Sequence, residues 1–191
     1  IKLAVARMYP RLGDNPDYSA IINEGHFARL KSTIEDAVDN GAHVIEINPA
    51  GEDLSAGGSG PGLKLAPKLV IEPSDQMMVM QDEIFGPILP IRTYRVLDDA
   101  IAQVEARPRP LALYYFDTDS RRIERVLRET ISGGVSINET LLHVAQENLP
   151  FGGIGASGMG RYHGFDGFET FSHKKGVFLQ SRLNGTALLH P

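Results

Sequence analysis

Cysteine is absent from all 191 residues. Without a thiol, the chain itself holds no disulfide, no thiolate metal site and no cysteine nucleophile. Dense basic clusters are missing too: none exceeds Arg121-Arg122 or Lys174-Lys175, and the net charge is −5. Nucleic-acid binding leaves a basic footprint, so no nucleic-acid partner is expected. No apolar run approaches the roughly 20 residues of a membrane span, and no signal-peptide pattern opens the chain. The expectation is a cytoplasmic protein with no membrane contact. Histidines 26, 43, 143, 163, 173 and 190 form no H-x-x-x-H pair, so no metal site is expected. Ser136 and Ser157 lie in no nucleophile-elbow pattern. The first residue is Ile1, which points to a piece of something longer.

What the chain does have is ordinary bulk and one unusual loop. Hydrophobic residues make up 42% and charged residues 23%, as in a soluble globular protein long enough for one sizeable core. From Asn148 to Gly164, glycines at 152, 153, 155, 158, 160 and 164 alternate with Phe151, Met159, Tyr162 and His163. So many glycines disfavour helix and strand interiors, while the large side chains argue against a featureless linker. A shaped, ligand-facing loop follows. Within it, Gly153-Ile-Gly-Ala-Ser-Gly158 satisfies G-x-G-x-x-G. That pattern binds a dinucleotide only between a strand and a helix N-terminus, and Pro150 interrupts any strand before it. An independent nucleotide-binding module on these glycines is therefore rejected.

Periodicity supplies the rest. Residues 1–18 soon reach Pro10, Gly13 and Pro16 and read as loop. Phe27, Leu30, Ile34, Ala37 and Val38 recur at helical spacing, with Gly41 as the C-terminal stop. Strands are expected at His43–Ile47, Leu65–Ile71, Ile88–Tyr94, Leu111–Phe116 and Val135–Ile137, with Pro87 and Pro90 giving the third a start or edge position. Leu111–Phe116 is almost wholly apolar, as a strand covered on both faces should be. Helices are expected around Leu97–Val104, with Asp98 as N-cap, around Ile123–Ile131, and over Gly167–Ser172. A mobile excursion is expected over residues 48–62, and a final strand over Gly176–Gln180. Alternating strands and helices predict an α/β fold, a parallel sheet with flanking helices.

A second distinctive stretch is Gln81-Asp-Glu-Ile-Phe-Gly-Pro87. In extended backbone, Glu83 and Phe85 face one side. A carboxylate there can accept hydrogen bonds from paired ribose hydroxyls, and a phenyl can lie against a flat ring. On spacing alone, a solvated Glu83 beside a core Phe85 is the commoner arrangement.

Taken together, Glu83-Ile-Phe-Gly-Pro87, Leu149-Pro-Phe-Gly-Gly153, Ser157-Gly-Met-Gly160, Tyr162-His-Gly164 and Glu169-Thr-Phe-Ser-His173 resemble the aldehyde dehydrogenase superfamily. They look most like its class 3 branch, which includes coniferyl aldehyde dehydrogenases. The resemblance runs from about residue 18 to 180. It implies NAD or NADP as cofactor, an aldehyde as substrate and a homodimer as assembly. It also implies Glu83, Phe85 and Phe151 as cofactor contacts, and Leu141, Val144, Phe151 and His163 as the substrate tunnel. In the family a cysteine thiolate attacks the aldehyde and a glutamate-activated water later releases the acid. Both groups precede the Glu83 motif by more residues than this chain has ahead of it. No catalytic residue is therefore expected here. Residues 1–172 are read as part of a catalytic domain, and 173–191 as a strand and tail at a dimer contact. The competing expectation is an inert, shortened relative acting as a dimerisation or regulatory partner.

Overall fold

The computed structural model describes residues 1–54, 63–180 and 185. These form two compact units, the first spanning Ile1–Thr93 and the second beginning at Tyr94.

The first unit is built on a helix whose ends and buried face are both written locally. After a short helix α1 (Lys2–Met8), α2 runs over Glu24–Asp39. The Asn23 side chain accepts the His26 N–H at 2.9 Å, satisfying one of the free amides that every helix start leaves. At the far end Gly41 takes φ 84°, a conformation glycine adopts without strain. Leu30, Thr33 and Ala37 form the buried stripe, and the Thr33 hydroxyl is satisfied by the Arg29 carbonyl at 3.0 Å. Leu30 and Ala37 join Leu65, Val70, Met77, Val79 and Ile88 in one core. Burying Leu30 contributes roughly 2 kcal/mol.

That core rests on a three-stranded sheet of β1 (His43–Glu46), β2 (Lys68–Ile71) and β3 (Ile88–Ile91). Strands β2 and β3 are parallel, Lys68 opposite Ile88, as expected. The pair β1·β2 is antiparallel, His43 opposite Ile71, which corrects the all-parallel expectation. An antiparallel return needs no crossover helix, and none is described between these strands. Pro90 sits in β3, which among the described residues pairs with β2 alone, so its missing N–H costs no ladder bond there. A single-turn helix, α3 (Met78–Gln81), packs on α2, and its Met78 N–H donates to Asp36 at 2.8 Å.

Two early expectations change. Residues 2–8 are helical rather than loop: Leu3 is 88% exposed, so α1 has no buried face for periodicity to reveal. The start of the expected excursion is tied down, because Glu52 accepts the Leu12 and Gly13 N–H groups at 2.6 and 3.2 Å. Those amides hold its carboxyl below the usual range. Residues 55–62 of that excursion lie outside the described residues.

The second unit holds α4 (Leu97–Glu105), β4 (Ala112–Tyr115), α5 (Ser120–Glu129), β5 (Gly134–Ile137) and α6 (Gly164–Thr170). Strands β4 and β5 are parallel, Ala112 opposite Gly134, with α5 as the crossover between them. Asp119 caps α5 by accepting the Arg121 and Arg122 N–H groups at 2.8 and 3.2 Å. The α4 cap is corrected: Val96 holds that position, with Asp98 in the first turn paired to Arg125 of α5 at 2.6 Å. Helix α6 begins three residues before the expected start. Strand β4 forms as expected but is not covered, with Tyr114 and the flanking Leu111 and Phe116 exposed. Among the described residues it pairs with β5 alone. The expected strand at Gly176–Gln180 is not assigned as a strand among the described residues. Val177, Phe178 and Leu179 are exposed.

Candidate functional site

The glycine-rich loop closes on itself. Phe151 and Tyr162 exchange two backbone hydrogen bonds, both 2.9 Å, so residues 151 and 162 form an isolated antiparallel bridge. Between them the backbone doubles back at close range. A Cβ on Gly152 would strike the Gly160 carbonyl and come within 2.9 Å of the Arg161 Cα. Only glycine fits there. The Ser157 hydroxyl accepts the Ile154 N–H at 2.9 Å and donates to its carbonyl at 3.1 Å, across a short 3-10 turn at Gly155–Ser157. No strand leads into Gly153–Gly158 and no α-helix starts within it, so the G-x-G-x-x-G match lacks its dinucleotide-binding context.

The bridge carries a run of rings. The Phe151 ring stacks on His163 with centroids 6.1 Å apart and meets Tyr162 edge-on at 5.7 Å. On its other side stands His143 at 5.9 Å, itself 5.8 Å from Tyr114 of β4. Two of the expected tunnel residues, Phe151 and His163, are thus in direct contact. The other two, Leu141 and Val144, share a tight turn in which the Val144 N–H donates to the Leu141 carbonyl at 2.9 Å. Leu141 is 64% exposed and Val144 half-buried. His143, within that turn, links it to the Phe151 cluster.

His143 is the residue that sequence reasoning passed over. Its Nδ1 lies 3.1 Å from the Ser136 hydroxyl, while its Nε2 is buried without a hydrogen-bond partner. His163 Nδ1 is also buried and unpartnered. A signal was present: Ser136 is a buried hydroxyl between Val135 and Ile137 on a strand, and a buried hydroxyl needs a partner. His163 and Leu141 both take positive φ, 81° and 62°. Non-glycine residues held this way carry about 1–3 kcal/mol of strain and concentrate at functional positions.

In the first unit, the Asp82–Pro87 loop carries the other two expected residues. Phe85 is 75% exposed at φ 45°, and Glu83 is exposed with no hydrogen bond or ion pair to its side chain among the described residues. The loop backbone is held all the same. Arg29 of α2 donates to the Ile84 and Glu83 carbonyls at 2.6 and 3.4 Å, and Gly86 lies flat against Leu30. A cleft of about 730 Å³ opens beside Phe85, lined by Tyr9, Tyr18, Ile22 and His26. Burial and the neighbouring Tyr9 push the Tyr18 hydroxyl up to about 12, and it donates to the Leu65 carbonyl at 2.6 Å. An unpaired carboxylate and a bare phenyl on a fixed backbone fit the hydroxyls and flat ring of a nucleoside.

With this geometry in hand, the aldehyde dehydrogenase family model matches residues 2–177. The chain belongs to the aldehyde dehydrogenase family. Among its relatives in that family, a probable coniferyl aldehyde dehydrogenase of Caulobacter vibrioides is 55% identical over 177 residues. The match covers 93% of this chain and 36% of that protein. A coniferyl aldehyde dehydrogenase of Pseudomonas sp. strain HR199 is 52% identical over the same shares. The substrate-bound structure of Staphylococcus aureus AldH superposes with a TM-score of 0.77 at 39% identity, covering 99% of this chain and 39% of that one. The chain therefore spans well under half the length of these aldehyde dehydrogenases.

Proposed function

We propose that this chain is the C-terminal part of an NAD(P)-dependent aldehyde dehydrogenase, cytoplasmic and homodimeric in its full form. It oxidises an aromatic, coniferyl-type aldehyde, or a longer aliphatic one, to the carboxylic acid. The observation that carries the reading is the Glu83–Phe85 pair: an exposed carboxylate with no partner among the described residues and a largely bare ring on an anchored loop. What sets this ring apart is the anchored backbone beneath it, which holds it beside the exposed carboxylate.

In this reading Glu83 accepts the nicotinamide-ribose hydroxyls with Phe85 beside it, and Phe151 is a further cofactor contact. Leu141, Val144, Phe151 and His163 line the aldehyde tunnel; the first three are apolar, which suits a phenylpropenal or an alkyl chain. When bound, the nicotinamide supplies the hydride acceptor. The thiol that would form the thiohemiacetal and thioester has no counterpart among these residues. The nucleophile, the general base and the dinucleotide-binding half fall to chain outside this sequence.

Intact mass and cofactor reduction test the reading together. The expected result is a natural protein heavier than 20.9 kDa that reduces NAD+ or NADP+ only when an aldehyde is present, faster with coniferaldehyde than with acetaldehyde. A heavier protein without aldehyde-dependent reduction would refute it. A mass of 20.9 kDa would favour the second reading, an inert partner chain. What supports that second reading is the exposure of Phe165, Phe168, Phe171, Val177 and Phe178, and co-purification with a full-length dehydrogenase would be its mark.

A further inference from the structure

We infer that Arg29 is a positioning residue for the cofactor, acting through the loop that carries Glu83 and Phe85. The inference rests on the cofactor reading of that loop given above.

The loop leaves α3 at Gln81 and enters β3 at Ile88, and its backbone is fixed at two places. At its C-terminal end the Pro87 carbonyl accepts the Lys68 N–H at 2.8 Å and the Gly86 carbonyl accepts the Ile88 N–H at 2.8 Å, tying it to the sheet. At its N-terminal end the Arg29 guanidinium is the described anchor, donating to two successive carbonyls, Ile84 at 2.6 Å and Glu83 at 3.4 Å. A planar fork with several fixed N–H donors can engage two acceptors at once, which an ammonium does less well. Arg29 comes from the helix turn whose next residue, Leu30, is wholly buried and sits against Gly86. A Cβ on Gly86 would lie 2.5 Å from the Leu30 methyls.

Carbonyl directions fix side-chain directions. With the 83 and 84 carbonyls turned to α2, the Glu83 carboxylate has no hydrogen-bond or ion-pair partner among the described residues and Phe85 is set at φ 45°. Both side chains are largely exposed, so the anchored backbone contributes much of what directs them. A group so placed binds with less ordering loss than one on a free loop. The guanidinium itself engages carbonyls rather than ligand, so its contribution is orientation.

The test is a double-mutant cycle in the natural, full-length protein, with two readouts that need no turnover. The first is cofactor affinity, measured by titrating NADH or NADPH fluorescence without aldehyde. The second is chymotryptic cleavage after Phe85 in cofactor-free protein, located by mass spectrometry. Arg29→Met and Glu83→Gln should each weaken binding about tenfold, and the double variant should lose clearly less than the two losses combined, because only the Phe85 share remains for Arg29 to lose. Arg29→Met should also speed cleavage after Phe85, and Arg29→Lys, which can reach one carbonyl, should recover part of both losses. Losses that add in the double variant, or Arg29→Met binding cofactor like wild type, would overturn the inference while leaving the cofactor role of Glu83 intact. If Glu83→Gln binds normally, the cofactor reading itself fails, and the inference falls with it. If Arg29→Met does not fold, the Arg29→Lys/Glu83→Gln pair decides the same question by the same additivity.

Discussion

At Gly152 the chain passes so close to Gly160 and Arg161 that no side chain fits. Gly152→Ala should therefore push the two limbs of the loop apart and break the Phe151–Tyr162 bridge. Overpacking of this kind costs about 1–3 kcal/mol, to be read as a lower denaturation midpoint than wild type. His143 offers a different single-residue test. Replacing it with leucine keeps the bulk but strands the buried Ser136 hydroxyl, at a cost of about 1–3 kcal/mol. His143→Leu with Ser136→Ala should recover most of that loss, since removing both partners leaves nothing unsatisfied. If the tunnel reading holds, His143→Leu should also raise KM for coniferaldehyde more than for acetaldehyde, because the ring supports Phe151.

Among the elements, the β4–α5–β5 unit is fastened by a knot of polar groups at one end. Asp117 accepts from Tyr115 at 2.7 Å and from Arg122 at 2.6 Å through both Nε and Nη2, while Asn138 bonds the Asp117 backbone in both directions. The Arg122 guanidinium, then the Asp119 amide and the Tyr115 hydroxyl, hold the Asp117 carboxyl far below the usual carboxylate range. A depressed acid stabilises the folded state above its unfolded value of about 3.9 and loses that contribution as pH falls through the folded one. Denaturation midpoints should therefore drop steeply below about pH 4, and Asp117→Asn should lower the neutral-pH midpoint while flattening that acid limb. The same unit shows what the sequence made legible. Helix α5 and both strands were readable because Ile123, Val126 and Leu127 keep helical spacing between apolar runs. Helix α1 was not, because its apolar residues face outward. The antiparallel turn of β1 was also hidden, since period-two patterning carries no strand direction. At the site, Phe151 and His163 were legible through the glycine framework around them, whereas His143 needed the three-dimensional proximity of Ser136 to stand out.

For the whole molecule, the decisive contrast is between the two units. The first owns the entire hydrophobic cluster, from Leu30 to Ile88. In the second, Val126 is the one fully buried apolar side chain among the described residues. Two parallel strands whose apolar residues are mostly only half-buried are not a self-sufficient structure, since parallel sheets are ordinarily covered on both sides. Exposed Phe165, Phe168, Phe171 and Phe178 add to the uncovered surface, with the last two 89% exposed. The chain produced alone should accordingly self-associate in concentration-dependent sedimentation, and Phe171→Ser with Phe178→Ser should shift it towards monomer. A monodisperse monomer at all concentrations would contradict this account. The uncovered β4·β5 pair also has a consequence in time. The first unit closes a hydrophobic cluster from its own residues, whereas the second leaves most of its large rings exposed. Apolar surface left open while a chain folds prolongs the life of sticky intermediates. Refolding should then show a fast phase from the α2 core and a slow one from the ring-bearing loop, with chaperones acting on the interval between them.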